Sequence, residues 1–263
     1  MNCCGRLPMW RSVLAVVPHP DDESFGLGAI LSAFADQGAE LAVLCLTRGE
    51  ASTLHGVAGD LGSIRGGELI AAAEVLGVST VQLLDYPDGQ LADAATQQLV
   101  LPVIELAERS GAHGLLVFDP SGVTGHPDHR QATAAARFAA TKMGLPVLGW
   151  TLPATVADAL NSEYGTSFIG HRPADIDLVV LVDRRRQCDA VGHHPSQALP
   201  ASVLWRRLEL LGPNEHLRWL QTSGFRCRVL ATGGWERLWR RRFGYDDGLC
   251  DIIDHDDPAT SRW

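Results

Sequence analysis

Val13-Leu14-Ala15-Val16-Val17-Pro18-His19-Pro20-Asp21-Asp22-Glu23 joins a short apolar run to one imidazole and three carboxylates within five residues. The run from Val13 to Val17 reads as a fully buried strand, and Gly26–Ala35 behind the polar group reads as a helix entered through small residues. The cluster therefore belongs at the carboxyl end of a strand, where open α/β sheets place their ligands. Like charges this close repel and are costly to desolvate, so packing alone does not explain them. A bound cation would.

Outward from this stretch, apolar runs alternate with helical patterns. Strands are expected at Leu41–Leu46, Val81–Leu84, Leu115–Phe118, Val147–Thr151 and Leu178–Val182, and helices at Ala29–Gln37, Ile64–Leu76, Thr96–Ser110, Gln131–Lys142 and Val203–Leu211. Gly77 is the expected C-cap of the second helix, and Tyr86-Pro87-Asp88-Gly89 an expected turn. Pro102 fits its helix only near the first turn. Strands separated by helices at this spacing predict βαβ units, hence an α/β, Rossmann-like fold with a mostly parallel sheet flanked by helices. No repeat or linker divides the 263 residues, so one domain is expected over 1–263, with its core at about 12–235 and a peripheral tail at 236–263.

The charge balance, 22 basic against 31 acidic residues, disfavours nucleic acid and anionic membranes as partners. Cys3, Cys4, Cys45, Cys188, Cys227 and Cys250 show no C-x-x-C pair, which fits reduced thiols better than a disulfide framework. Met1–Val17 lacks the apolar core of a secretory leader, and Val13–Val17 is too short to span a bilayer. A cytoplasmic protein without a membrane span is the expectation.

A second polar loop follows the Leu115–Phe118 strand: Asp119-Pro120-Ser121-Gly122-Val123-Thr124-Gly125-His126-Pro127-Asp128-His129. Two such loops at one sheet edge can face each other across a crevice. His19 and Asp22 can reach one ion as the chain turns into its helix, and His129 is the best-placed third ligand. Two imidazoles and a carboxylate leave the ion Lewis-acidic and able to activate water. Asp21, beside a ligand without needing to bind, is the expected general base. His126 is suited to stabilise an oxyanion or protonate a leaving amine, and Asp128 to hold an imidazole in one tautomer. Glu23 is divided between a supporting and a capping place.

Together, Pro18-His19-Pro20-Asp21-Asp22-Glu23 and His126-Pro127-Asp128-His129 resemble the LmbE/PIG-L family of zinc-dependent N-deacetylases. That family includes N-acetylglucosaminyl-phosphatidylinositol de-N-acetylase and the deacetylase and amidase of mycothiol metabolism. Thr47-Arg48-Gly49-Glu50, Arg65-x-x-Glu68-Leu69 and Tyr86-Pro87-Asp88-Gly89 are weaker matches. The resemblance implies His19, Asp22 and His129 as zinc ligands and Asp21 as base. It makes His126 the oxyanion or acid residue with Asp128 as its partner, and Arg65 and Asp88 sugar contacts. It departs at Thr124, where the sugar deacetylases of mycothiol synthesis carry tyrosine, and at Gln187, where the family carries lysine. His194, in the His-x-Ser-Gln segment, is left between the site, a subunit interface of a homo-oligomer and a purely structural place.

The expected activity is metal-dependent removal of an acetyl group from an amide nitrogen of a small hydrophilic substrate, by resemblance an N-acetyl sugar. Fe(II), Co(II) or Mn(II) would suit the same donors as zinc. The rivals are an amidase of thiol or sugar conjugates and a silent Rossmann-like binding module. Against the latter, Gly26-x-Gly28 lacks the third glycine of a dinucleotide loop.

Overall fold

The computed structural model describes residues 5–222 except 55 and 57. The tail expected from residue 236, and the end of the expected core, lie outside the described residues. Among those residues no helix is long and apolar enough to cross a membrane.

Strands β1 (Ser12–Val17), β2 (Glu40–Thr47), β3 (Thr80–Tyr86), β4 (Gly114–Phe118) and β5 (Val147–Pro153) form a parallel sheet in the order β3-β2-β1-β4-β5. β6 (Gly170–His171) pairs parallel with the end of β5, while β8 (Asn214–Gln221) pairs antiparallel with β5, and β7 (Leu178–Leu181) antiparallel with β8. The strand order reverses between β1 and β4, which is where doubly wound sheets open a crevice. Both polar loops leave these two strands, so the topology alone brings them face to face.

β1 is buried along its whole length, as a central parallel strand covered on both faces should be. Val13, Ala15 and Val17 point into one core with Leu27, Ile30 and Phe34, and with Leu69, Ala72 and Leu76. Those partners come from α2 (Gly28–Asp36), its N-cap residue Leu27 and α3 (Leu61–Leu76). Helices α4 (Thr96–Arg109) and α5 (Pro127–Met143) pack against each other and against the sheet. Gly77 ends α3 with φ 82°, the left-handed cap expected of it.

The structure departs from the sequence reading at several elements. Asp22–Phe25 forms a one-turn helix, α1, before α2. Helices α6 (Ala154–Tyr164) and α7 (Arg185–Gly192) and strands β6 and β8 were unassigned, whereas α8 (Val203–Leu211) has the expected bounds. Pro102 lies inside α4 rather than in its first turn. It removes the N–H that would bond the Gln98 carbonyl, and the Tyr86 hydroxyl donates to that carbonyl instead, at 2.8 Å.

Two glycines give opposite expectations. Gly67 is exposed on α3 with open space around it, so Gly67→Ala is expected to raise stability by about 0.5–1 kcal/mol. A Cβ on buried Gly26 would overlap the Phe118 ring, so Gly26→Ala is expected to cost about 1–3 kcal/mol. Urea midpoints at unchanged slope measure both.

Candidate active site

β1 delivers His19 at its carboxyl end, and α1 begins three residues later with Asp22. The His19 backbone N–H donates to Asp22 Oδ2 at 3.0 Å, closing the loop on itself, and His19 Nδ1 lies 3.4 Å from the same oxygen. From the other loop, His129 Nε2 lies 3.3 Å from Asp22 Oδ1. Ligating atoms of His19, Asp22 and His129 all fall within 4.8 Å of one another, and a second trio of His19, His126 and Asp128 meets the same measure. The three rings form a triangle, with centroids 5.0 Å apart for His19 and His126 and 5.4 Å for each of the other pairs. Phe118, the last residue of β4, backs His129 at 4.7 Å.

The electrostatics favour a cation here. Burial works against the charged form of His19, but contacts with Asp128, Asp22 and Asp88 raise its pKa well above the ordinary value. Burial pushes His129 down to about 4, against the pull of Asp22. Burial also opposes ionisation of Asp22, yet His129 and His19 hold its carboxyl at about 2. Near pH 7, His129 thus offers a lone pair and Asp22 a negative charge, as a metal requires, while His19 has to release a proton before it can ligate. Two nitrogens and an oxygen are also a donor set that zinc accepts. His129 Nδ1 is buried without a hydrogen-bond partner.

Asp21 is the N-cap of α1, with φ 117° and ψ −28°, left-handed geometry that a non-glycine residue holds at about 1–3 kcal/mol. Its carbonyl accepts from Ser24 N at 3.0 Å and Phe25 N at 2.7 Å, and its own N–H donates to Glu23 Oε2 at 3.0 Å. Its carboxylate takes Arg65 Nη2 at 3.0 Å. Burial lifts the Asp21 carboxyl to about 7, Arg65 opposing and Asp22 reinforcing the shift.

His126 caps α5 through its ring: Nδ1 accepts from Asp128 N at 3.2 Å, with Pro127 in the first turn. A neutral His126 ring therefore carries its proton on Nε2. The loop before it is strained at Val123, a β-branched residue with φ 63°, flanked by Gly122 at 77° and, beyond Thr124, Gly125 at 80°. Ile169 N anchors it by donating to the Val123 carbonyl at 2.7 Å.

Three residues singled out by the sequence make contacts beyond those expected of them. Asp128 does not hold His126 through its carboxylate; only its backbone N–H reaches that ring. The carboxylate instead lies 3.2 Å from His19 Nε2 and accepts from Gly89 N at 2.8 Å and Leu91 N at 3.1 Å. Arg65, expected to face a sugar, is buried and spends its guanidinium on Asp21 and the carbonyls of Pro20 and Gly49. Asp88, expected beside it, has Oδ1 3.1 Å from His19 Nε2 and accepts from Ala51 N at 2.9 Å through Oδ2. Both residues support the cluster because the β3 turn and the start of α3 close over it. Thr124 is exposed on the rim of its loop.

Sequence reasoning gives no role to Asp119, which follows β4 and holds Arg218 at 2.7 Å and His171 at 3.2 Å. Only its place after a strand, shared with His19, could have flagged it. His194 and Glu23, left open by the sequence, meet in the interior at 2.7 Å.

Comparison with known proteins shows the family. The PIG-L model, described as GlcNAc-PI de-N-acetylase, matches residues 14–140. A diacetylchitobiose deacetylase of Thermococcus kodakarensis is 35% identical over 203 residues, which are 74% of this chain and 73% of that protein. A 1D-myo-inositol 2-acetamido-2-deoxy-alpha-D-glucopyranoside deacetylase of Kineococcus radiotolerans is 31% identical over 186 residues. That match takes in 58% of this chain and spans about half, 52%, of the relative's length. The solved structure of an A40926 pseudoaglycone deacetylase superposes with a TM-score of 0.61 over 80% of this chain and 96% of its own, at 22% identity, a likeness of fold. With His19 to Glu23 and the strand order of its matched segment in place, the chain belongs to the PIG-L family, that of GlcNAc-PI de-N-acetylase.

Proposed function

We propose that this chain is a zinc-dependent N-deacetylase that hydrolyses the acetamide of an N-acetyl sugar derivative. The observation that carries the reading is the convergence of His19, Asp22 and His129 beside a carboxyl, Asp21, lifted to about 7. The acetamido sugars named for the relatives above support the substrate class. His19, Asp22 and His129 would hold the ion. Bound there, a divalent cation supplies Lewis acidity that activates water and polarises an amide carbonyl.

The side chains do the rest. Asp21 accepts the proton of the attacking water, since a base with pKa near the working pH combines basicity with the correct protonation state. Arg65 fixes that carboxylate in direction. His126, with its proton on Nε2, donates to the carbonyl oxygen as negative charge develops there. Asp21 then returns its proton to the departing amine. Asp128 and Asp88 accept from His19 Nε2, which leaves Nδ1 as the nitrogen turned toward Asp22, the histidine–carboxylate arrangement that tunes metal ligands. Cys45 and Cys188 are free thiols, which fits the cytoplasmic setting the reading includes.

Protein purified without chelator is expected to carry about one zinc per chain, lost in His129→Ala, with acetate release from N-acetyl sugars abolished by chelation and restored by zinc. Metal-free wild type that gains no activity on reconstitution would refute the assignment. Asp21→Ala is expected to keep its metal and lose roughly 10²–10⁴-fold in kcat; loss of metal instead would make Asp21 a ligand. Gly49 has φ 66°, and a Cβ there would overlap the Arg65 guanidinium. Gly49→Ala is therefore expected to cost about 1–3 kcal/mol in denaturant unfolding and to lower kcat through Asp21.

A further inference from the structure

The catalytic reading uses Asp21 but leaves unexplained a fully buried group directly beneath it. Glu23 and His194 have no solvent exposure, and they come from opposite ends of the described chain, His194 following α7. His194 Nε2 lies 2.7 Å from Glu23 Oε1, to which Ser24 Oγ also donates at 2.6 Å. The second oxygen, Oε2, takes the Asp21 backbone N–H at 3.0 Å. One carboxylate thus links a distant imidazole to the amide of the proposed base.

We propose that His194, acting through Glu23, is a positioning residue that holds Asp21 in its left-handed conformation and so aims its carboxylate at the attacking water. The proposal rests on the deacetylase reading for its catalytic consequence, and on the hydrogen-bond chain alone for its structural one.

Three features support it. Asp21 at φ 117° is strained, so its conformation persists only if its surroundings impose it. The Asp21 carbonyl is tied into α1 and its carboxylate to Arg65, which leaves the amide as the remaining handle, and Glu23 takes it. His194 is itself immobilised: Phe25 meets its ring edge-on at 5.7 Å, and the following Ser196 is pinned to Glu68 through N at 3.0 Å and Oγ at 2.6 Å. Glu68 belongs to α3, the helix that also supplies Arg65. Base and tether are therefore braced by the same helix.

Two polar isosteres separate positioning from packing. Glutamine keeps a donor near the Nε2 position, whereas asparagine places its amide near the Nδ1 position, short of Glu23. On metal-free protein, the Asp21 amide is expected to exchange slowly by NMR in wild type and His194→Gln, and at least about tenfold faster in His194→Asn. With N,N′-diacetylchitobiose as probe, His194→Asn is expected to lose about 10–100-fold in kcat at unchanged KM and metal content, and His194→Gln to recover to within about threefold. In an Asp21→Asn background, His194→Asn should have no further effect. Glu23→Asp, one methylene short of the Asp21 amide, should reproduce the loss and carries the test if His194→Asn fails to fold. Wild-type exchange and kcat in His194→Asn would overturn the proposal, as would a loss confined to metal content or KM. Faster exchange in His194→Asn, with no acetate released from any N-acetyl sugar by the zinc-loaded wild type, would support the tether and overturn the deacetylase reading instead.

Discussion

The structure is organised around an excess of negative charge at the carboxyl ends of β1 and β4. Asp22, Asp88 and Asp128 all lie within 3.4 Å of the His19 ring, and Asp21 and Glu23 flank Asp22 in the chain. Burial makes such a group expensive unless positive charge or hydrogen bonds answer it. The answers come from distant parts of the sequence. Arg65 on α3 meets Asp21, His194 after α7 meets Glu23, and the backbone amides of Gly89 and Leu91 meet Asp128. His19, Asp22 and His129 present two nitrogens and a carboxylate oxygen, a donor set that a divalent cation fits.

That arrangement demands an anchored α1. A helix of four residues cannot satisfy its own terminal carbonyls, and Asp22 is its first residue. Gln187 on α7 donates to the carbonyls of Ser24 and Phe25 at 3.0 and 3.2 Å, and Arg207 on α8 donates to Phe25 at 2.6 Å. Gln187, where the resemblance implies a lysine, thus has a structural place. Its amide nitrogen caps α1 while its oxygen accepts from Arg184 at 2.6 Å, and Arg184 in turn pairs with the buried Glu215 on β8.

The parts of this plan legible in the sequence are those that local pattern dictates. A buried parallel strand is a continuous apolar run, so β1 and β4 stood out, as did the polar loops that follow them. The meeting of His19, Asp22 and His129 could be anticipated because strand–loop–helix units in one parallel sheet share an edge. The antiparallel extension could not. β8 carries Asn214, Glu215, His216 and Arg218 among its eight residues, and its Glu215 is buried only because Arg184 and Trp150 receive it. α7, with Arg185, Arg186, Gln187 and Asp189 in eight residues, likewise has little apolar signal. Pro102 argued against an interior helix position because the compensating hydroxyl, on Tyr86, comes from another strand.

The same distinction explains the contacts of Asp128. Asp128 sits between two histidines in sequence, which leaves open which imidazole it holds, and the resemblance gives it to His126. In the helix, however, the residue at the second position turns its side chain away from the N-cap ring, whose Nδ1 is taken by the Asp128 amide. The carboxylate then points across the crevice to His19, where the turn amides of Gly89 and Leu91 fix it. One short segment, His126-Pro127-Asp128-His129, therefore presents two imidazoles and a carboxylate to the crevice, the carboxylate directed at His19 from the β1 loop. Pro127 fixes the backbone at the first turn so that these three side chains diverge, and a helix begun one residue later would turn each of them by about 100°, the rotation of 3.6 residues per turn.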